Sequence, residues 1–168
     1  MTVKHVMGMV IASVVMVPLV VGAQAPAMKP APAAANGSQM AAKGKTLYER
    51  LGGYDKIAKI VDTFLPKLGM ADPKVGAMIS GLAETSRNRN RQMIVDQICS
   101  LIGGPCVYIG RSMEAAHQGL QIDDALWKVS QKTLGDTLDE LKVGEPEKSE
   151  LIATIEKLRP DVVQKTKH

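Results

Sequence analysis

Apolar residues recur every three or four positions in several stretches of the chain, a spacing that places side chains on one face of an α-helix. The clearest stretch covers residues 54–68. Its apolar positions are Ile57, Ile60, Val61, Phe64, Leu65 and Leu68. Pro66 lies inside this pattern and lacks a backbone N–H, so we expect it to kink or end the helix.

Three later stretches show the same helical spacing. Residues 93–102 carry an apolar stripe that ends at Gly103-Gly104-Pro105, a helix stop. Asp123 is a suitable N-cap for a helix reaching Leu141, and Glu145-Pro146 opens the last helix. The expected inward-facing positions are, in chain order, Met93, Ile94, Ile98, Leu101, Ile102, Leu126, Trp127, Leu134, Leu138, Leu141, Leu151, Ile152, Ile155 and Leu158.

Glycine and proline mark the breaks between these helices. A short helical turn over residues 46–51 should stop at Gly52-Gly53, and residues 69–81 should form a corner with one short turn of helix. No stretch alternates with period two for long enough to be a strand. The pattern therefore predicts an all-α fold whose helices cross over a shared pocket.

The N-terminal region has the pattern of a secretion signal. Lys4 and His5 precede an apolar run over residues 6–22, and Val21 and Ala23 occupy the two positions that a signal peptidase recognises. We expect residues 1–23 to be removed and the protein to be exported to the periplasm, with no membrane association afterwards. The alternative is an uncleaved anchor, because the run is near the lower length limit for a spanning helix.

Composition divides the rest of the chain. Residues 24–45 are rich in Ala and Pro and lack apolar periodicity, so we interpret them as a linker. The folded domain is expected over residues 46–163, followed by a tail at 164–168.

The net charge of +4 is mild, and no aromatic residues interleave with Arg87, Arg89 and Arg91. This argues against a nucleic-acid partner.

The chain contains two cysteines, Cys99 and Cys106, on either side of the Gly103-Gly104-Pro105 stop. In an exported protein, two cysteines without a third favour a disulfide. Two free buried thiols or a redox pair are the alternatives. A bridge here would pin the end of one helix to the segment that leads to His117.

His117 is the only histidine away from the chain ends, and Met113 precedes it by one helical turn. A single histidine on a helix is more often a packed or surface residue than a metal ligand, so the rest of the sequence is needed to interpret His117. Three segments of the chain are informative. They read LYERLGG at residues 47–53, LIGGPCVYIGRSMEAAHQGLQI at 101–122, and LDELKVGEPEKSELIATIEKLRPDVV at 138–163.

In order and spacing these segments resemble the group I truncated haemoglobins. The resemblance implies a shortened globin-like fold, a two-over-two helical sandwich around haem b. His117 falls on the family's proximal iron ligand. Met113 matches a position against the proximal face of the macrocycle, and Tyr108 and Arg111 match positions near the haem edge. Arg111 could equally be an ordinary surface charge.

On the distal side the sequence departs from the family pattern. The tyrosine that most members carry after the equivalent of Phe64 is replaced by Leu65, which cannot donate a hydrogen bond to bound oxygen. Met78-Ile79 replaces the usual pair of phenylalanines. Counting back from Gly103-Gly104, the distal helix offers Asn90, Met93 and Ile94. With Asn90 as the one polar group, oxygen should be lost quickly.

Three functional hypotheses follow. The first is reversible binding of oxygen or another diatomic ligand, NO or CO, with chemistry on oxygen or NO and an unidentified reductant. The second is an exported electron-transfer protein in which Met93 is the sixth ligand of a His/Met haem. This ligation raises the reduction potential of the haem. The third is a haem-free helical domain that binds a partner helix in the same pocket.

Overall fold

The computed structural model describes residues 44–164, which form eight α-helices and no strands. The all-helical prediction is confirmed. In chain order the helices are α1 Leu47–Leu51, α2 Tyr54–Ala71, α3 Pro73–Ser80, α4 Glu84–Leu101, α5 Met113–His117, α6 Asp124–Glu140, α7 Glu145–Glu156 and α8 Arg159–Val162. The predicted signal and nearly all of the predicted linker lie outside the described residues.

Two pairs of helices form the body of the fold. α2 packs against α4, α6 packs against α7, and a contact between α2 and α6 joins the two pairs. One continuous apolar cluster fills the space between them. It comprises the buried residues Leu47, Leu51, Ile57, Ile60, Val61, Val95, Cys99, Ile102, Leu134, Leu138 and Leu151. The core therefore consists mainly of aliphatic side chains, many of them at the predicted inward-facing positions.

Local sequence sets most helix ends. Thr46 and Glu49 form a capping box at α1, whose C-terminal residue is followed by Gly52 in the left-handed conformation, φ 101°. Asp123 caps α6 by accepting a hydrogen bond from the Leu126 amide at 2.8 Å. These caps satisfy backbone groups that a helix end leaves unpaired, which explains why the cap at Asp123 and the stop at Gly52 were predictable.

Of the two outcomes expected for Pro66, an end of the helix is wrong, since α2 continues to Ala71, and a kink stays a prediction. A proline inside a helix loses one backbone hydrogen bond, but Leu65 and Leu68 on either side are half-buried and keep the helix packed. The predicted corner with one turn is also wrong. It contains α3, an eight-residue helix capped by Asp72.

The glycines in this corner serve helix packing. A Cβ on Gly76 would lie 2.5 Å from the carbonyl oxygen of Gly69, so α3 can fold back on α2 only because Gly76 has no side chain. These glycines therefore mark a close helix contact, whereas the sequence pattern suggested a loop.

Two other predictions need correction. On α4 the fully buried residues are Val95 and Cys99, whereas Leu101, predicted to face inward, is 38% exposed. The buried face of α4 is therefore rotated from the predicted stripe. The last predicted helix is divided into α7 and α8 at Lys157-Leu158, just before Pro160.

Among the helices of residues 44–164, none has the length and hydropathy needed to cross a bilayer.

Candidate functional site

His117 is the last residue of α5, a helix of only five residues. Ser112 caps this helix, because its hydroxyl accepts a hydrogen bond from the Ala115 amide at 3.2 Å. No residue of α5 is fully buried, and the His117 side chain is half-buried. The imidazole is thus presented by a short, locally capped helix at the edge of the fold.

One hydrogen bond determines which nitrogen of His117 is free. Nδ1 lies 2.8 Å from the carbonyl oxygen of Met113, one turn earlier in α5. A carbonyl oxygen can only accept, so Nδ1 carries the proton and donates. In the neutral ring Nε2 then keeps its lone pair, which is the tautomer that binds a metal ion. Nε2 of His117 therefore suits iron chemically.

The segment before α5 has its own internal order. Tyr108 donates a hydrogen bond from its hydroxyl to the carbonyl oxygen of Arg111 at 2.7 Å, and burial raises the pKa of this phenol. A Cβ on Gly110 would overlap the Tyr108 ring. Tyr108 and Gly110 therefore shape this loop together, while the Arg111 side chain is exposed. This structural role of Tyr108 was missed by the sequence interpretation.

Away from α5, the structure brings Leu65 and Ile79 together. They line a cavity of about 440 Å³ between α2, α3 and the start of α4. Its other lining residues are Pro66, Gly69, Gly76, Ser80 and Arg87. His117 and Met113 are not among the lining residues. Phe64 packs against the core cluster, and Met78 is 41% exposed.

The predicted distal residues of α4 differ in exposure. Asn90 is exposed, whereas Met93 and Ile94 are half-buried, with Ile94 packed against the core cluster. α4 is held on α2 through Arg91, which donates two hydrogen bonds of 2.8 Å to the Asp62 carboxylate. The roles assigned to Asn90, Met93 and Ile94 stay predictions, as do those of the other haem-contact residues.

The two cysteines form the predicted disulfide. Cys99 on α4 and Cys106 in the following loop are bridged, with their Cα atoms 5.8 Å apart. The close packing extends to Gly104, where a Cβ would lie 2.5 Å from Cδ2 of Tyr48 and 2.6 Å from Sγ of Cys99. The bridge therefore joins the end of α4 to the segment that carries His117, and Gly104 makes room for it.

Comparison with known proteins matches this arrangement to one class. The family model described as bacterial-like globin matches residues 46–164. A group 1 truncated hemoglobin from Tetrahymena pyriformis is 30% identical over 123 residues, which cover 73% of this chain and 98% of that protein. One from Nostoc commune is 27% identical over 93 residues, 55% of this chain and 75% of that protein.

Solved structures agree with these relatives. The Fe(III) form of the Tetrahymena pyriformis truncated hemoglobin matches with a TM-score of 0.64 and 30% identity, covering 72% of this chain and all of that one. The 2/2 hemoglobin from Synechococcus, in the cyanomet state with covalently attached heme, matches with a TM-score of 0.64 and 28% identity over the same shares.

The fold and the matching structures define a haem protein with the two-over-two helical sandwich of a shortened globin. The chain belongs to the bacterial-like globins and, within them, to the group I truncated haemoglobins. Its cofactor is haem b, and its function is ligand binding at the haem. The Nδ1 hydrogen bond of His117 fits this cofactor, because it leaves the lone pair of the second ring nitrogen available to a metal ion.

Proposed function

We propose that the protein binds a diatomic ligand, oxygen, NO or CO, at a haem iron whose protein ligand is Nε2 of His117. The observation that carries this proposal is the 2.8 Å hydrogen bond from Nδ1 to the Met113 carbonyl oxygen. That bond selects the tautomer and orients the ring. Met113 thus acts through its backbone, in addition to the predicted contact of its side chain with the macrocycle.

When bound, haem would supply an iron atom that can accept a diatomic ligand. The residues predicted to surround that ligand are mainly apolar. Leu65 and Ile79 already line one cavity, and neither side chain can donate a hydrogen bond. Neither can hold the ligand by a hydrogen bond, so the ligand should be weakly held. Rapid ligand release is therefore part of the proposed function.

Replacing Leu65 tests this proposal about the distal side. Leu65→Tyr adds a hydroxyl donor, and oxygen dissociation should slow by on the order of tenfold, the size expected for one hydrogen bond. Leu65→Phe is the matched control, because it adds the ring without the hydroxyl. Stopped-flow displacement of oxygen by carbon monoxide measures both rates. Equal slowing in the two variants would show that ring size, and not hydrogen bonding, controls release.

A half-buried thioether on α4 supports the second candidate function. Met93 lies next to Ile94 on this helix and is partly shielded from solvent. If its sulfur closes the sixth iron position, the protein is an electron carrier, and the ferrous form should bind carbon monoxide slowly. Met93→Leu should then convert slow binding to fast binding. Fast binding by the parent protein, unchanged in Met93→Leu, favours the ligand-binding function.

Chemistry on oxygen or NO would use the same site and would need a reductant to return the iron to its ferrous state. Mixing NO with the oxygen-loaded protein tests this extension. Consumption of NO above the rate in buffer, lost in His117→Ala, would support it. NO that persists at the buffer rate would leave reversible binding as the function.

Export to the periplasm forms the last part of the proposal. It is supported by the signal pattern that ends at Ala23 and by the Cys99–Cys106 bridge, which suits an oxidising compartment. Cell fractionation with mass spectrometry should find a protein that begins at Gln24. A protein retaining residues 1–23 in the membrane fraction would support the uncleaved anchor instead.

A further inference from the structure

The C-terminal end of the described chain reaches back to His117. Gln164, two residues after α8, donates a hydrogen bond from Nε2 to the carbonyl oxygen of His117 at 3.0 Å. Its Oε1 accepts a hydrogen bond from the Gln121 amide at 3.2 Å. Its own backbone amide donates to the carbonyl oxygen of Ile122 at 2.9 Å. One residue thus makes three hydrogen bonds, one to the last residue of α5 and two to the segment that follows it.

Both ends of the Gln164 carboxamide are used, and the partners fix its orientation. The His117 carbonyl oxygen can only accept, so it must face the NH₂ group. The Gln121 amide can only donate, so it must face the oxygen. A side chain with only an acceptor or only a donor could satisfy one partner but not both. This requirement makes Gln164 chemically specific for its position.

The contact falls where α5 is weakest. The last carbonyl oxygens of a helix have no partner inside the helix, and α5 has only five residues and none fully buried. The His117 carbonyl receives the Gln164 hydrogen bond and a second one from the Leu120 amide at 3.1 Å. α5 also lies against α8, and these hydrogen bonds add to that contact in holding the end of the helix in place.

The turn after α5 is fixed from a second direction. Gln121 has a positive φ of 52°, which is unusual for a residue with a side chain. Its carbonyl oxygen accepts a hydrogen bond from Nζ of Lys74 on α3 at 2.9 Å, while its amide donates to Gln164. The turn is therefore tied both to α3 and to the C-terminal end of the fold.

We propose that Gln164 is a positioning residue for His117, whose carboxamide ties the carbonyl end of α5 to the Gln121 turn and so sets the direction of the imidazole. The inference rests on the proposed ligation of iron by His117. Its effect on the iron is indirect, because Gln164 contacts the backbone of His117 and not the ring. The resulting stiffness of α5 should slow haem loss and narrow the range of ring orientations.

Three variants separate the two hydrogen bonds of the carboxamide. Gln164→Leu removes both, and Gln164→Glu keeps the acceptor for Gln121 but replaces the donor to His117 with a carboxylate oxygen. Gln118→Leu is the matched control, because it makes the same change next to His117 at an exposed side chain. All are made in the full chain, and circular dichroism verifies that they fold.

Three measurements apply to each variant. Haem transfer from the ferric protein to an excess of apomyoglobin should be faster in Gln164→Leu and Gln164→Glu by about three- to tenfold, the size of one or two neutral hydrogen bonds. The iron–imidazole stretching band of the ferrous protein should shift and broaden in both. In the haem-free protein, amide exchange at Gln121 should speed up in Gln164→Leu only. Gln118→Leu should match the parent in all three.

An iron–imidazole band and a haem-transfer rate unchanged in both Gln164 variants would overturn the positioning role, even if Gln121 exchange changes. Equal effects in Gln118→Leu would also overturn it, since any disturbance of the segment would then suffice. His117→Ala distinguishes the underlying function. If His117→Ala keeps the parent band, the proposed ligation fails. If it loses the band while the Gln164 variants keep it, only the positioning role fails.

Discussion

α6 and α5 are held in the molecule by different kinds of interaction. α6 has 17 residues, of which five are buried: Trp127, Thr133, Leu134, Thr137 and Leu138. α5 has five residues and none is buried. Apolar burial stabilises the first, whereas a cap, an imidazole–carbonyl bond and the Gln164 contact order the second. The core helix α6 and the His117 helix α5 are therefore held in place by separate sets of residues, and substitutions should affect the two regions separately.

The largest expected effect on stability comes from the core. Ile57 on α2 is 0% exposed, and Ile57→Ala should lower the free energy of unfolding by about 2 to 5 kcal/mol. Ile109, in the loop before α5, is 79% exposed, so Ile109→Ala should cost far less. Urea unfolding measures both. Similar losses in the two variants would contradict the proposed division between core and loop.

The disulfide is the covalent link between these two regions. Removing it by Cys99→Ala with Cys106→Ala should cost about 2 to 3 kcal/mol, because an eight-residue loop is no longer closed in the unfolded chain. Thermal unfolding of the parent with and without a dithiol reductant measures the same quantity. The double variant serves as the control and should not respond to reductant. A parent protein that also fails to respond would argue against the bridge.

Two glycines should respond in opposite directions. At Gly110 in the loop, a Cβ would overlap the Tyr108 ring, so Gly110→Ala should destabilise the protein by about 1 to 3 kcal/mol. At Gly135 in α6 the nearest atom is Cδ1 of Ile152 at 4.0 Å, so Gly135→Ala should add about 0.5 to 1 kcal/mol through helix propensity. Thermal unfolding of the two variants and the parent measures both changes in stability. Destabilisation by both would show that α6 is packed more tightly than this distance implies.

The smallest expected effect on the free energy of unfolding comes from the Arg91–Asp62 ion pair. The Arg91 hydrogen bond holds the pKa of Asp62 below its ordinary value of 3.8. Because the side chains are 31% and 49% exposed, the pair should contribute less than about 1 kcal/mol. This contribution is present above pH 3.8 and is lost as the pH falls through the lower pKa of the folded state.

Asp62→Asn should therefore destabilise the protein slightly at pH 7, and the difference from the parent should shrink below pH 3.8. Urea unfolding at several pH values measures this. Asp136→Asn is the control. It removes the carboxylate from the Lys132–Asp136 pair, whose side chains are more exposed than those of Arg91 and Asp62, and should have no measurable effect. A difference that grows with acidity would contradict the predicted sign.

Features encoded by neighbouring residues were predictable from sequence. The cap at Asp123 and the stops at Gly52-Gly53 and Gly103-Gly104 follow from local backbone chemistry, and the structure has helix ends at or next to each. The two cysteines were correctly paired by their number and context. The family resemblance, carried by residue spacing around His117, led to the fold and the cofactor.

Features that depend on tertiary contacts were not predictable. The hydrogen bond from Gln164 to His117 joins residues 47 positions apart, and no local pattern marks either end of it. The continuation of α2 past Pro66 and the inward rotation of Val95 and Cys99 also depend on neighbouring helices. The packing of Tyr108 on Gly110 is visible only in three dimensions, while the predicted place of Tyr108 near the haem edge stays a prediction.

The most direct test of the whole interpretation is an absorption spectrum of the purified protein and of His117→Ala, each in the ferric, ferrous and ferrous carbon monoxide forms. The parent should show a haem spectrum with a carbon monoxide complex. His117→Ala should lose the haem or its histidine-ligated bands while α-helical content is kept, since α5 adds no buried residue to the core. A parent-like spectrum in His117→Ala would contradict the assignment of His117 as the iron ligand.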